Sequence, residues 1–129
     1  MKHVGVLTLS LAALLALGCG TGSRQLQSIT VTQSLSGGKV SFIATGHYTS
    51  EPTTVTPLPV SWGIGLFAPP PKSITYTLTT QPYVFTCPAP GSGPLQPVSV
   101  FAPANANAPM SGTLPWSGVV TAYAQINCP

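Results

Sequence analysis

Acid is what this 129-residue chain most conspicuously lacks. It contains no aspartate, Glu51 is its one carboxylate, and charged residues of both signs make up 4% of the sequence. Hydrolysis by a pair of carboxylates needs two acids and is excluded. A calcium site draws on several oxygen ligands, usually including carboxylates, and only Glu51 is on offer. Histidine is nearly as scarce, since His47 is the only one after residue 3. Cations are few and scattered: Arg24, Lys39 and Lys72 stand far apart. Binding along a phosphate backbone needs several basic residues together, so nucleic acid is not an expected partner. Beyond residue 18 there is no run of apolar residues at three- and four-residue spacing, and all fifteen prolines lie after Glu51. Proline opposes helix by about 3 kcal/mol or more, so helix is not expected there.

One long apolar run is present, residues 4–17, VGVLTLSLAALLAL, preceded by Met1, Lys2 and His3. Its fourteen residues fall short of the roughly 20 that cross a bilayer. A basic start, an apolar middle of this length and small residues at its end read as a secretory signal. The competing reading is a buried core helix. The run closes on Leu15-Ala16-Leu17-Gly18-Cys19. This stretch resembles the lipobox of bacterial lipoproteins, in which an aliphatic residue and small residues precede a cysteine. Ala16 stands where that family most often has leucine. The resemblance implies removal of residues 1–18, a diacylglycerol thioether on Cys19 and N-acylation of the new terminus. Each buried methylene contributes about 0.8 kcal/mol, and two or more chains hold stably, so the membrane is an expected partner. Gly20 after the cysteine, in place of aspartate, implies the outer membrane wherever two membranes exist.

Residues 19–27 are expected to form a flexible tether. Its eight residues after the cysteine, GTGSRQLQ, reach at most roughly 26–29 Å, which keeps the folded body close to the bilayer. Of the three cysteines, Cys87 and Cys128 remain once Cys19 carries lipid. In an oxidising compartment an even pair is a disulfide candidate. Two free buried thiols are the competing reading.

Residues 28–129 alternate with period two, the mark of half-buried strands. SITVT puts Ile29 and Val31 on one face. KVSFIATGHYT aligns Val40, Phe42, Ala44, Gly46 and Tyr48 against Ser41, Ile43, Thr45 and His47. LPVSW aligns Leu58, Val60 and Trp62; SITYTLT aligns Ile74, Tyr76 and Leu78; YVFTC aligns Tyr83, Phe85 and Cys87; PVSVF aligns Val98 and Val100. The last run, GVVTAYAQINC, aligns Val120, Ala122, Ala124, Ile126 and Cys128. Turns are expected at SGG, 36–38, and GSG, 91–93. About seven short strands with one apolar face each pack as two sheets face to face, an all-β, immunoglobulin-like sandwich. Cys87 and Cys128 share the apolar parity of their strands. A bridge closing a loop of about 42 residues contributes about 4 kcal/mol in the chain-entropy model.

The strands SITVT, VSFIATGHY and VSW, in that order, resemble the first half of the bacterial Ig-like group 2 family, with YVFTC and VVTAYAQINC a looser match to the second. The resemblance covers about residues 26–129. It implies a spacer or binding module of adhesins, surface proteins and envelope lipoproteins, not an enzyme. The insertion GIGLFAPPPKS after Trp62 departs from the family's tighter turn and leaves the strand count there open.

Catalytic residues are not expected. A Ser-His-acid arrangement would have to use His47 and Glu51, four residues apart, with no nucleophile-elbow sequence beside them. Zinc would need His47, Cys87, Cys128 and a fourth ligand, and parity puts His47 on the opposite face; neither metal nor cofactor is expected. Trp62 is expected in the core. Trp116 either caps the open end of the sandwich or is partly exposed for a ligand such as a sugar ring. Residues 102–112, APANANAPMSG, read as a long loop of the kind that carries binding. The expected function is a non-enzymatic, lipid-anchored envelope protein in structural, adhesive or protein-contact service. The alternative is a ligand- or glycan-binding module using Trp116 and the 102–112 loop.

Overall fold

The computed structural model describes residues 24–89 and 95–128. The expected signal segment 1–18, the lipidation site Cys19 and the turn at 91–93 lie outside the described residues. The described strands are β1 (Leu26–Ser36), β2 (Lys39–Tyr48), β3 (Thr54–Val55), β4 (Ser61–Ile64), β5 (Ser73–Thr77), β6 (Tyr83–Thr86), β7 (Val98–Pro103), β8 (Ser111–Pro115) and β9 (Val119–Ala124). The one helical element among the described residues is a short 3-10 turn, Trp116–Gly118. The all-β class read from the alternation is what the described residues adopt.

Strands β1 and β2 form a hairpin closed by Gly37 and Gly38, at φ 57° and 75°. A two-residue turn between twisted strands requires positive φ at both positions, which glycine reaches without strain. Along β2's other edge, β6 pairs at the hairpin end and β3 at the opposite end, making a four-stranded antiparallel sheet. A second sheet has the order β4-β7-β9, and β5 with β8 makes a two-stranded ribbon. A bridge between Val60 and Thr79 ties the ribbon to the chain entering β4.

The two larger sheets share a core that runs along their length in two clusters. At the end where β1 begins, Leu26, Ile29, Ala44 and Leu58 meet Val60, Val100 and Ala102. At the hairpin end, Val40 and Phe42 meet Val98 and Ile126, with Trp62, Tyr83, Phe85 and both bridged cysteines packed around them. Cys87, just past β6, is disulfide-bonded to Cys128, beyond β9, with their Cα atoms 5.7 Å apart. The bridge expected for the pair left once Cys19 is set aside is therefore present, and it joins the two sheets at the hairpin end.

Three expectations need correction. Among the described residues nine strands replace about seven, because the short β3 and β8 do not show as alternating runs. The first strand starts before residue 28: Leu26 is 3% exposed and opens β1. A bulge between Leu26 and Ser28 inserts Gln27 and lets Leu26 and Ile29, three residues apart, both face inward. Finally, 102–112 is not one loop. Strand β7 extends to Pro103 and β8 starts at Ser111, leaving 104–110 as the connection.

Strand β7 is buried on both faces. Its inner residues are the expected Val98 and Val100. The other face is covered by the insertion after β4, whose Phe67 packs edge-on to Phe101 at 5.8 Å and against Trp116 at 4.8 Å. The Phe67 amide also donates to the Tyr123 hydroxyl at 3.2 Å. The insertion is thus a flap over the second sheet.

Candidate functional site

One group of polar contacts lies at the end of the molecule where the described chain begins. Arg24 lays its guanidinium over the Tyr48 ring, 3.9 Å from the centroid. Its Nε donates to the carbonyl of Ser50 at 3.1 Å and its Nη2 to that of Pro52 at 2.7 Å. The side chain therefore satisfies two turn carbonyls and stacks on an aromatic face, which a planar guanidinium does and an ammonium does not. Partial burial pushes the Tyr48 phenol above its usual pKa, and the Arg24 charge works the other way.

The 104–110 connection is sewn to the same segment. The Leu26 amide donates to Ala104 at 2.7 Å, the Ala106 amide donates to Arg24 at 3.1 Å, and Gln25 bridges Asn105. The Asn105 side chain accepts from the Asn107 amide at 2.9 Å, an Asx turn that orders the loop without strand pairing. A shallow depression of about 540 Å³ lies over this loop. Gln25, Asn105, Asn107 and Ser117 give it hydrogen-bonding groups, and Leu114 and Pro109 give it apolar wall. A smaller notch of about 80 Å³, lined by Tyr48, Leu78 and Met110 among others, lies on the loop's other side.

Trp116 does not line either hollow as described. Its backbone amide donates to Lys72 at 2.9 Å, and its indole packs on Phe67. The half-buried ring belongs to the Phe67–Phe101–Tyr123 cluster over the second sheet, while its successors Ser117 and Gly118 form part of the depression's rim. Trp62 is half-buried between the two core clusters, as expected of a core residue. Its indole Nε1 is buried and has no hydrogen-bond partner among the described residues.

His47 lies on the parity opposite the core, as the alternation indicated. It is half-buried rather than free in solvent, and its Nε2 shares a 2.8 Å hydrogen bond with the Thr30 hydroxyl. The neighbouring register pairs Thr45 with Thr30, and the Thr45 and Thr56 hydroxyls are 2.6 Å apart. Glu51 occupies the exposed turn before β3. Among the described residues no three His, Cys, Asp or Glu side chains gather where a metal ion could be held.

Asn105 and Asn107 lie in the loop that sequence reasoning singled out, but Arg24 and Gln25 were missed. The available signal was the lone arginine of the chain next to the first strand, because a planar guanidinium can cap carbonyls and stack on a ring at once. Nothing in the sequence tells which carbonyls it caps. Set beside known proteins, the chain matches no family model, no curated protein and no solved structure.

Proposed function

We propose that this chain is a lipid-anchored protein of the bacterial cell envelope. It carries one immunoglobulin-like β-sandwich that serves structure, adhesion or protein contact rather than catalysis. The observation that carries the reading is the Cys87–Cys128 disulfide. Structural disulfides persist in oxidising compartments and are rare in the cytosol, so the bridge agrees with the export signal read at residues 1–18. With both of those cysteines bridged, Cys19 is the one left for an anchor. The outer membrane is the proposed site wherever two membranes exist, by the Gly20 argument. Two antiparallel sheets sharing a core support the immunoglobulin-like architecture. The resemblance to the bacterial Ig-like group 2 family rests on the strand motifs quoted above. Against catalysis stand the scarcity of acids and the engagement of His47 by Thr30.

A second reading, recognition of an uncharged ligand such as a glycan, is favoured by one observation. The depression over the 104–110 loop presents amides and a hydroxyl without any charged side chain. Trp116 supports it less, because its ring is stacked on Phe67.

Metabolic labelling with palmitate tests the first reading. The wild-type chain should take up label and Cys19→Ser should not. Equal labelling of the two would remove the anchor from Cys19.

A further inference from the structure

Apolar side chains are exposed at both ends of the molecule: Leu35 near the hairpin turn and Met110 beside the chain's entry point, at 57% and 53%. Exposure alone does not choose between them. The tether does. Arg24 is five residues from Cys19, and five residues span at most about 16–18 Å. Strand β1 has 11 residues, which at ~3.3 Å each carry the hairpin turn about 36 Å from the entry end. The headgroup zone of one leaflet takes up roughly 5–8 Å. A lipid on Cys19 therefore holds the entry end within a short span of the bilayer and lets the hairpin turn point away.

The entry end is fixed to the 104–110 loop, not merely near it. Backbone bonds link Leu26 to Ala104 and Ala106 to Arg24, and the three Arg24 contacts hold the segment down. Whatever draws Arg24 to the membrane brings this loop with it. The loop is ANANAPM from 104 to 110 and has no charge to desolvate. Its asparagines suit the polar headgroup level, and Met110 is the apolar group that interfacial burial favours.

We infer that the end of the domain bearing the 104–110 loop lies against the lipid headgroups, with Met110 as its contact to the interface. The inference rests on the proposal that Cys19 carries lipid. It gives the loop a partner of stated chemistry, the phospholipid surface, and makes the hairpin end the part open to other molecules.

Bromolipid quenching tests it. The full lipidated chain is reconstituted in vesicles of phosphatidylethanolamine and phosphatidylglycerol with bromine near the headgroup end of the acyl chains. Met110→Trp and Ser36→Trp are compared after subtraction of the parent's Trp62 and Trp116 signal. The tryptophan at 110 should be quenched at least about threefold more than that at 36. Asn107→Trp, at another exposed loop position, should follow the 110 variant and guards against a local effect of losing Met110. Lengthening the tether by about ten Gly/Ser residues after Ser23 should shrink the difference. A chain that floats with the vesicles but shows no quenching at 107 or 110 overturns this inference and leaves the anchor standing. Failure to float overturns both together.

Discussion

The two halves of the core are built differently. The entry-end cluster has seven buried residues among those described, all aliphatic, and the chain's own backbone closes it, through the Leu26 amide on Ala104 and the Leu58 amide on Ala44. The hairpin-end cluster has four, ringed by Trp62, Tyr83 and Phe85 and closed by the Cys87–Cys128 bridge. Hydrogen bonds from the incoming chain close one end, and a covalent link closes the other. The hairpin end is not short of packing, since Phe42, Val40 and Val98 are among the largest fully buried side chains. The crosslink adds to that packing by restricting the unfolded chain.

Removing the bridge should be the largest single blow to this division. Cys87→Ala with Cys128→Ala is expected to lower unfolding free energy by about 4 kcal/mol, out of a usual 5–15, as read by urea denaturation. Hydrogen exchange would sharpen the result. The Cys87 amide, bonded to Gly38, should lose protection before the Leu26 amide does. Equal loss at both would mean that the two ends open as one unit.

Next comes Leu58→Ala in the entry-end cluster, where Leu58 is 2% exposed. A loss of about 3 kcal/mol is expected, with exchange faster at Leu26 and Ala104 than at Cys87. Gly46→Ala should follow at about 1–3 kcal/mol. A Cβ there would lie 2.7 Å from Leu58 Cδ1 and 3.0 Å from Leu26 Cδ1, so both side chains would have to shift. A Gly46→Ala protein as stable as wild type would show that this cluster has slack.

The smallest effect is electrostatic. The Tyr48 pKa is raised in the folded state by burial, so its contribution is fully present below the ordinary tyrosine value and is lost as pH climbs through the folded one. Stability should therefore sag in the alkaline range above about 10, and Tyr48→Phe should flatten that sag. Arg24→Ala should raise the phenol's pKa further, because the cation favours phenolate; ultraviolet titration reads the shift. A downward shift would mean that the guanidinium's cover of the ring outweighs its charge.

Alternation made most of this legible. The inward residues of β2, from Val40 to Gly46, and those of β9 through Cys128 follow the period of two because each strand has one solvated face. The cysteine pair followed from setting Cys19 aside for lipid, and parity placed the bridge beside the core. What escaped has physical reasons. Gln27 bulges out, which breaks the parity at Leu26 and hides the strand's start. Strand β8 reads Ser-Gly-Thr-Leu-Pro, with one large apolar residue, and depends on β5 for its pairing. Strand β3 is two residues long. The outer face of β7 is buried by Phe67, a long-range contact that no local pattern announces. The polar end was the least legible part, because Arg24 and the loop amides work through backbone groups, which every residue carries alike.

The central claim is that a disulfide-stapled β-domain is held to a membrane through Cys19. Mass spectrometry of the chain's own N-terminal peptide, taken from the membrane fraction of its native cell, tests it most directly. The expected peptide begins at Cys19 and carries the mass of a diacylglyceryl group and one further acyl chain, with residues 1–18 gone. A soluble protein that still begins at Met1, with an unmodified Cys19, would contradict the account.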